Sequence, residues 1–73
     1  MKEIIEVLKE VNSEIDYENE KMLITDGLLT SFDLVMLVSL LNNKFDIEIT
    51  VVDLIPENFE SVEAINNLIK KLK

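Results

Sequence analysis

The sequence contains no cysteine, histidine, arginine or tryptophan, and only one glycine and one proline. Without cysteine or histidine the chain can form neither a disulfide nor a zinc cluster. It also lacks histidine, the most common proton carrier, and the cysteine thiol, so we do not expect an enzyme. Because Gly27 and Pro56 are the only glycine and the only proline, no segment is typical of a linker or of disorder. What remains is a chain of 73 residues, 48% of them hydrophobic, which predicts one small helical domain over residues 1–73.

The charges are mostly acidic and argue against nucleic acid as a partner. The net charge of −8 argues against nucleic-acid binding, which depends on lysine and arginine. Six acids and no base lie between residues 45 and 69. They form either a solvated surface or an acidic face that steers basic partners.

Neither the N-terminal segment nor the most apolar stretch indicates a membrane protein. The apolar run from Leu34 to Leu41, interrupted only by Ser39, is much shorter than the roughly 20 residues that span a bilayer. The first ten residues alternate charged and apolar side chains and do not resemble a signal peptide. We therefore expect a cytoplasmic monomer that does not insert into membranes.

Hydrophobic periodicity predicts an all-α fold, a small four-helix bundle with a long ordered first loop. Three longer helices are expected over residues 2–13, from Ser31 to about Lys44, and after the cap residue Ser61. A short third helix is expected over residues 51–55, stopped by Pro56. The connection over residues 14–30 has no sustained period, but we expect six apolar residues to hold it on the core: Ile15, Met22, Leu23, Ile24, Leu28 and Leu29.

The second predicted helix has more apolar residues than one buried face requires. On a helical wheel a core stripe is formed by Leu34, Leu37, Val38, Leu41 and Phe45. The opposite side presents Phe32, Val35, Met36 and Ser39. Either the first helix or the loop covers this side, or it is an exposed patch on which partners dock.

Thr30 and Ser31 lie at the start of that helix. Thr30 and Asp33 have the spacing of a capping box, which makes Ser31 the first helical residue. A phosphate attached to Ser31 would lie in the favourable field of the helix N-terminus. The chain has no histidine to activate Ser31 as a nucleophile. The alternative is a serine that simply helps to cap the helix.

These residues resemble the acyl carrier proteins and their aminoacyl- and peptidyl-carrying relatives. The serine motif of that family is similar to the stretch Gly27-Leu28-Leu29-Thr30-Ser31-Phe32-Asp33-Leu34-Val35. Farther on, Phe45 is followed by Asp46-x-Glu48-Ile49. The stretch Asn58-Phe59-Glu60-Ser61-Val62-Glu63-Ala64-Ile65 is similar to the last-helix start of carriers in the D-alanyl and nonribosomal branch. The resemblance covers the whole chain.

The resemblance implies that Ser31 is the attachment site of 4′-phosphopantetheine. A magnesium-dependent phosphopantetheinyl transferase would add this group from coenzyme A, and its thiol would carry an acyl or aminoacyl thioester. The implied partners are that transferase, an acyl- or aminoacyl-loading ligase and downstream transferases. They would dock on the second helix through Phe32, Asp33, Val35, Met36 and Ser39. The family has Asp where this chain has Thr30, so the alternative function is a carrier-like interaction module that has lost the arm.

Overall fold

The computed structural model describes all 73 residues, and its regular elements are all helices. Three α-helices are present: α1 (Lys2–Val11), α2 (Ser31–Phe45) and α3 (Val62–Leu72). Two short 3-10 turns, Val51–Asp53 and Pro56–Asn58, lie between α2 and α3. The all-α fold class is therefore confirmed, whereas the four-helix bundle is not, because only three α-helices form.

The segment predicted as the short third helix forms two 3-10 turns instead. Five residues between Thr50 and Pro56 allow little more than one turn, and the bond from the Leu54 N–H to the Val51 carbonyl is of the 3-10 type, at 3.1 Å. Ile55 is extended, with φ −110° and ψ 148°, because a residue before proline is disfavoured in the helical region. The Asn58 side chain then donates to the Asp53 carbonyl at 2.8 Å and holds the two turns together.

The first helix ends two residues earlier than predicted. Asn12 is already extended, with φ −153° and ψ 111°. The hydroxyl of Tyr17 lies 3.1 Å from the Leu8 carbonyl oxygen and 2.6 Å from that of Asn12, so it caps the end of α1. The following loop thus stabilises the end of the helix, where the Asn12 side chain also accepts from the Glu14 N–H at 2.9 Å.

The core lies where α1 packs against both α2 and α3. Its centre consists of completely covered side chains, among them Leu8, Leu37 and Phe59. No polar or charged side chain is buried in it. The buried residues are Ile4, Val7, Leu8, Tyr17, Leu23, Leu29, Leu37, Leu41, Ile49, Phe59, Val62, Ile65, Leu68 and Ile69.

The long first loop, residues 12–30, is held against the core. Of the predicted anchors, Leu23 and Leu29 are buried, whereas Met22 and Leu28 are exposed. Tyr17, which the apolar pattern did not single out, is also buried. Gly27 adopts a φ of +72°, a turn conformation that glycine accepts without strain. No helix of the domain is both long and apolar enough to cross a bilayer.

Candidate functional site

The start of α2 has the predicted capping box. The Thr30 hydroxyl accepts from the Asp33 N–H at 3.1 Å, and the Asp33 carboxylate accepts from the Thr30 N–H at 3.0 Å. Ser31 is the first residue of the helix, is exposed, and takes no part in this cap. Its hydroxyl therefore remains accessible at the positive end of the α2 dipole.

An apolar groove of about 350 Å³ begins at Ser31. It is lined by that serine together with Leu34, Val35, Val38 and Leu54. Four of these five residues are hydrophobic, so the groove offers an apolar surface directly beside the serine hydroxyl. Its volume lies at the lower end of the range for small-molecule sites in proteins.

Two residues of the predicted core stripe of α2 line the groove instead of being fully buried. Leu37 and Leu41 are completely buried as expected. Leu34 and Val38 are only partly buried, since one side packs on the core and the other lines the groove. Leu54, from the segment between the 3-10 turns, forms the opposite wall. The role of Leu54 was not predicted. The sequence signal that could have predicted it is the run of apolar residues at Val51, Val52, Leu54 and Ile55, all of which are exposed in the structure.

The side of α2 predicted to be an exposed patch is open to solvent. Phe32 is 73% exposed and Val35 67%, so neither α1 nor the first loop covers them. Met36 is 37% exposed, which makes it partly covered. Ser39 is exposed beside them. Monomeric domains rarely leave several large apolar side chains together in water unless the surface has a use.

Asp33, predicted as a partner contact, is half-buried and its carboxylate is engaged in the cap. Its charge also acts inside the domain. Burial first and the Asp33 charge second raise the pKa of the Tyr17 phenol to about 12. Because the cap engages its carboxylate, Asp33 contributes to a docking surface only what the cap leaves accessible.

Two polar side chains that do not line the groove bind backbone groups of other segments. The Asn42 side chain accepts from the Ile49 N–H at 2.8 Å and fixes the connection that follows α2. The Glu60 carboxylate accepts hydrogen bonds from the backbone of Ile24 and Thr25. Glu60 is therefore not simply part of an acidic docking face. The acidic side chains do not form a metal site, because no group of three or more potential metal ligands exists.

Neither a comparison with protein-family models nor a search of curated proteins finds a match to this chain.

Proposed function

We propose that this chain is a discrete acyl or aminoacyl carrier protein that holds its cargo on a 4′-phosphopantetheine arm attached to Ser31. One observation carries the proposal: an exposed serine, unused by the helix cap, opens onto an apolar groove at the N-terminus of α2. A serine that only helped the helix would need neither the groove nor an accessible hydroxyl.

The residues around Ser31 fit such an arm. Its hydroxyl oxygen would form the phosphoester while the pyrophosphate bond of coenzyme A breaks and adenosine 3′,5′-bisphosphate leaves. The hydroxyl proton would pass to the transferase. The phosphate would lie beside the first N–H groups of α2, where the dipole favours negative charge. When bound, the arm supplies a thiol, which this cysteine-free chain does not have.

The groove would take the apolar part of the arm or its cargo. Leu34, Val35, Val38 and Leu54 present no group that could attack a thioester. Their contribution would be to shield apolar surface from water. Cargo chemistry would then be left to partner enzymes, consistent with a chain that lacks histidine, cysteine and arginine.

The proposed carrier would also have a defined docking side for its partners and a defined location. In such a carrier, the two 3-10 turns between α2 and α3 would stand in place of the short third helix. The exposed side of α2, with Phe32, Val35 and Met36, would be read by the phosphopantetheinyl transferase, a loading ligase and downstream transferases. The protein would act in the cytoplasm as a monomer.

The test is direct modification of Ser31. The apo protein is incubated with coenzyme A, magnesium and a broad-specificity phosphopantetheinyl transferase, and in parallel with a transferase from the source organism. Mass spectrometry should show the gain of one phosphopantetheine, located on the peptide that contains Ser31. The Ser31→Ala variant should gain nothing and keep its thermal midpoint, because an exposed substitution outside a cap changes stability by about 0.5 kcal/mol or less. Ser13→Ala, which changes an exposed serine of the first loop outside the docking surface, should be labelled like the wild type.

The second candidate is a carrier-like interaction module without an arm. Thr30 favours this second candidate. Threonine caps a helix, as aspartate does, but it brings no negative charge to meet the transferase and its metal. No mass gain with either transferase, in a protein whose helical circular dichroism is intact, would establish the second candidate over the first.

A further inference from the structure

Glu60 makes an unusual set of bonds to the first loop. One carboxylate oxygen accepts from the N–H groups of Ile24, at 2.9 Å, and Thr25, at 3.0 Å. The other oxygen accepts from the Thr25 hydroxyl. The Glu60 carbonyl oxygen accepts from the Leu23 N–H at 2.9 Å. Three consecutive loop residues are thus bound to one residue more than thirty positions away.

The loop segment that Glu60 holds is itself closed by hydrogen bonds. The Leu23 carbonyl accepts from the N–H groups of Leu28, at 3.0 Å, and Leu29, at 3.1 Å, while the Gly27 N–H donates to the Ile24 carbonyl at 3.0 Å. Leu23 and Leu29 are both buried. Residues 23–29 therefore form one hydrogen-bonded turn, which ends immediately before Thr30 and Ser31.

Glu60 is well placed to hold that turn because its own neighbours are fixed. Phe59 is completely buried, and the Ser61 side chain accepts from the Ala64 N–H at 3.1 Å as the cap of α3. The bonds from Thr25 and Ile24 lower the pKa of Glu60, with the Thr25 hydroxyl as the largest cause. The carboxylate is therefore ionised at neutral pH, where such bonds are stronger than those between neutral groups.

We infer that Glu60 is a positioning residue for Ser31: by fixing residues 23–25 to the start of α3, it sets where the loop delivers Thr30 and Ser31. The inference rests on the proposed function for what Ser31 does. The arrangement of the turn is independent of it. A loop released from Glu60 would still lead into a capped helix, but the surface beside Ser31 that a transferase meets would move.

Two substitutions separate positioning from simple stabilisation. Thr25→Val removes the hydroxyl donor at nearly constant volume on an exposed loop residue, and Thr25→Ser restores a hydroxyl. Glu60→Gln replaces one acceptor oxygen by a donor, and Glu57→Gln removes a nearby exposed charge as its matched control. All are assayed at physiological ionic strength, where exposed charges are screened beyond about 8 Å.

The first readout is kcat/KM for labelling by the transferase, well below each variant's thermal midpoint. We expect Thr25→Val and Glu60→Gln to lose between about tenfold and a hundredfold, the scale of a misplacement approaching 1 Å. Thr25→Ser and Glu57→Gln should remain near the wild type. If Glu60→Gln fails to fold, the Thr25 pair decides. Equal labelling of Thr25→Val and Thr25→Ser would overturn the inference, even if Thr25→Val melts earlier.

The second readout does not depend on modification. In NMR spectra the N–H groups of Ile24 and Thr25 should exchange faster in Thr25→Val, and the Ser31 N–H resonance should shift, with both effects reversed in Thr25→Ser. If the wild type itself is never labelled, the proposed function fails, and this readout alone decides the positioning role. A Ser31 resonance that does not respond to Thr25→Val would then refute it.

Discussion

Replacing Phe32 or Val35 with alanine should weaken binding of the phosphopantetheinyl transferase while leaving the domain folded. Fully burying such a side chain is worth about 1.5–3 kcal/mol. Phe32 and Val35 are 73% and 67% exposed, so a partner that covers either one would gain about 1–2 kcal/mol. Its loss corresponds to a Kd weakened about 5- to 30-fold.

The assay is a binding titration in the Ser31→Ala background, where no modification can follow binding. Val52→Ala is the matched control, because Val52 is 82% exposed but lies outside α2. Val35→Ala and Val52→Ala remove the same atoms from similarly exposed positions. We expect the first to weaken binding and the second to leave Kd within about twofold, the scale of an energy near 0.4 kcal/mol.

Three results would contradict the reasoning. Equal losses in Val35→Ala and Val52→Ala would show that docking is not specific to α2. Unchanged affinity in both Phe32→Ala and Val35→Ala, together with a steep loss in moderate salt, would show that charge governs docking. Unfolding of Val35→Ala would mean that the patch supports the core. Met36, only 37% exposed, can contribute about 0.5–1 kcal/mol at most and is the poorer probe.

Thr30→Asp should label faster than the wild type and keep its thermal midpoint, since both residues cap helices; equal rates would show that the missing charge is irrelevant. Tyr17→Phe should lose about 0.5–1.5 kcal/mol of stability in denaturant titrations at neutral pH, the usual net worth of a hydrogen bond. Because the folded pKa of Tyr17 is raised to about 12, the wild type should lose this advantage as pH rises from about 10 toward that value. A constant difference between the two proteins across that range would refute the burial argument. The pKa of Glu60 is lowered by its bonds, so its contribution is fully present above the ordinary glutamate value of about 4.3 and is lost as pH falls through the lower folded value. The stability difference between wild type and Glu60→Gln should therefore shrink on acidification. A difference that grows would show that the ionised Glu60 carboxylate does not stabilise the first loop.

Features that depend on residues three or four apart could be predicted from the sequence. The starts of α2 and α3 follow from the caps at Thr30 and Ser61, because a side chain and the N–H groups it binds lie in the same turn. The buried faces of α1 and α3 follow from apolar residues at helical spacing. Local spacing also identified Ser31 as the first residue of α2 and placed Phe32 and Val35 opposite its core face.

The tertiary structure decided what depends on residues far apart in the chain. Tyr17 can be buried because its hydroxyl lies within hydrogen-bond distance of carbonyl oxygens five and nine residues earlier, at the end of α1, and no helical period marks such a partner. Glu60 resembles the solvated acids around it in sequence, yet its carboxylate binds a loop segment 35 and 36 residues earlier. The groove beside Ser31 exists only because Leu54 packs opposite α2. Helix positions in this protein are therefore set by local hydrogen bonds and periodicity, whereas the surroundings of Ser31 are set by long-range contacts that only the folded chain brings together.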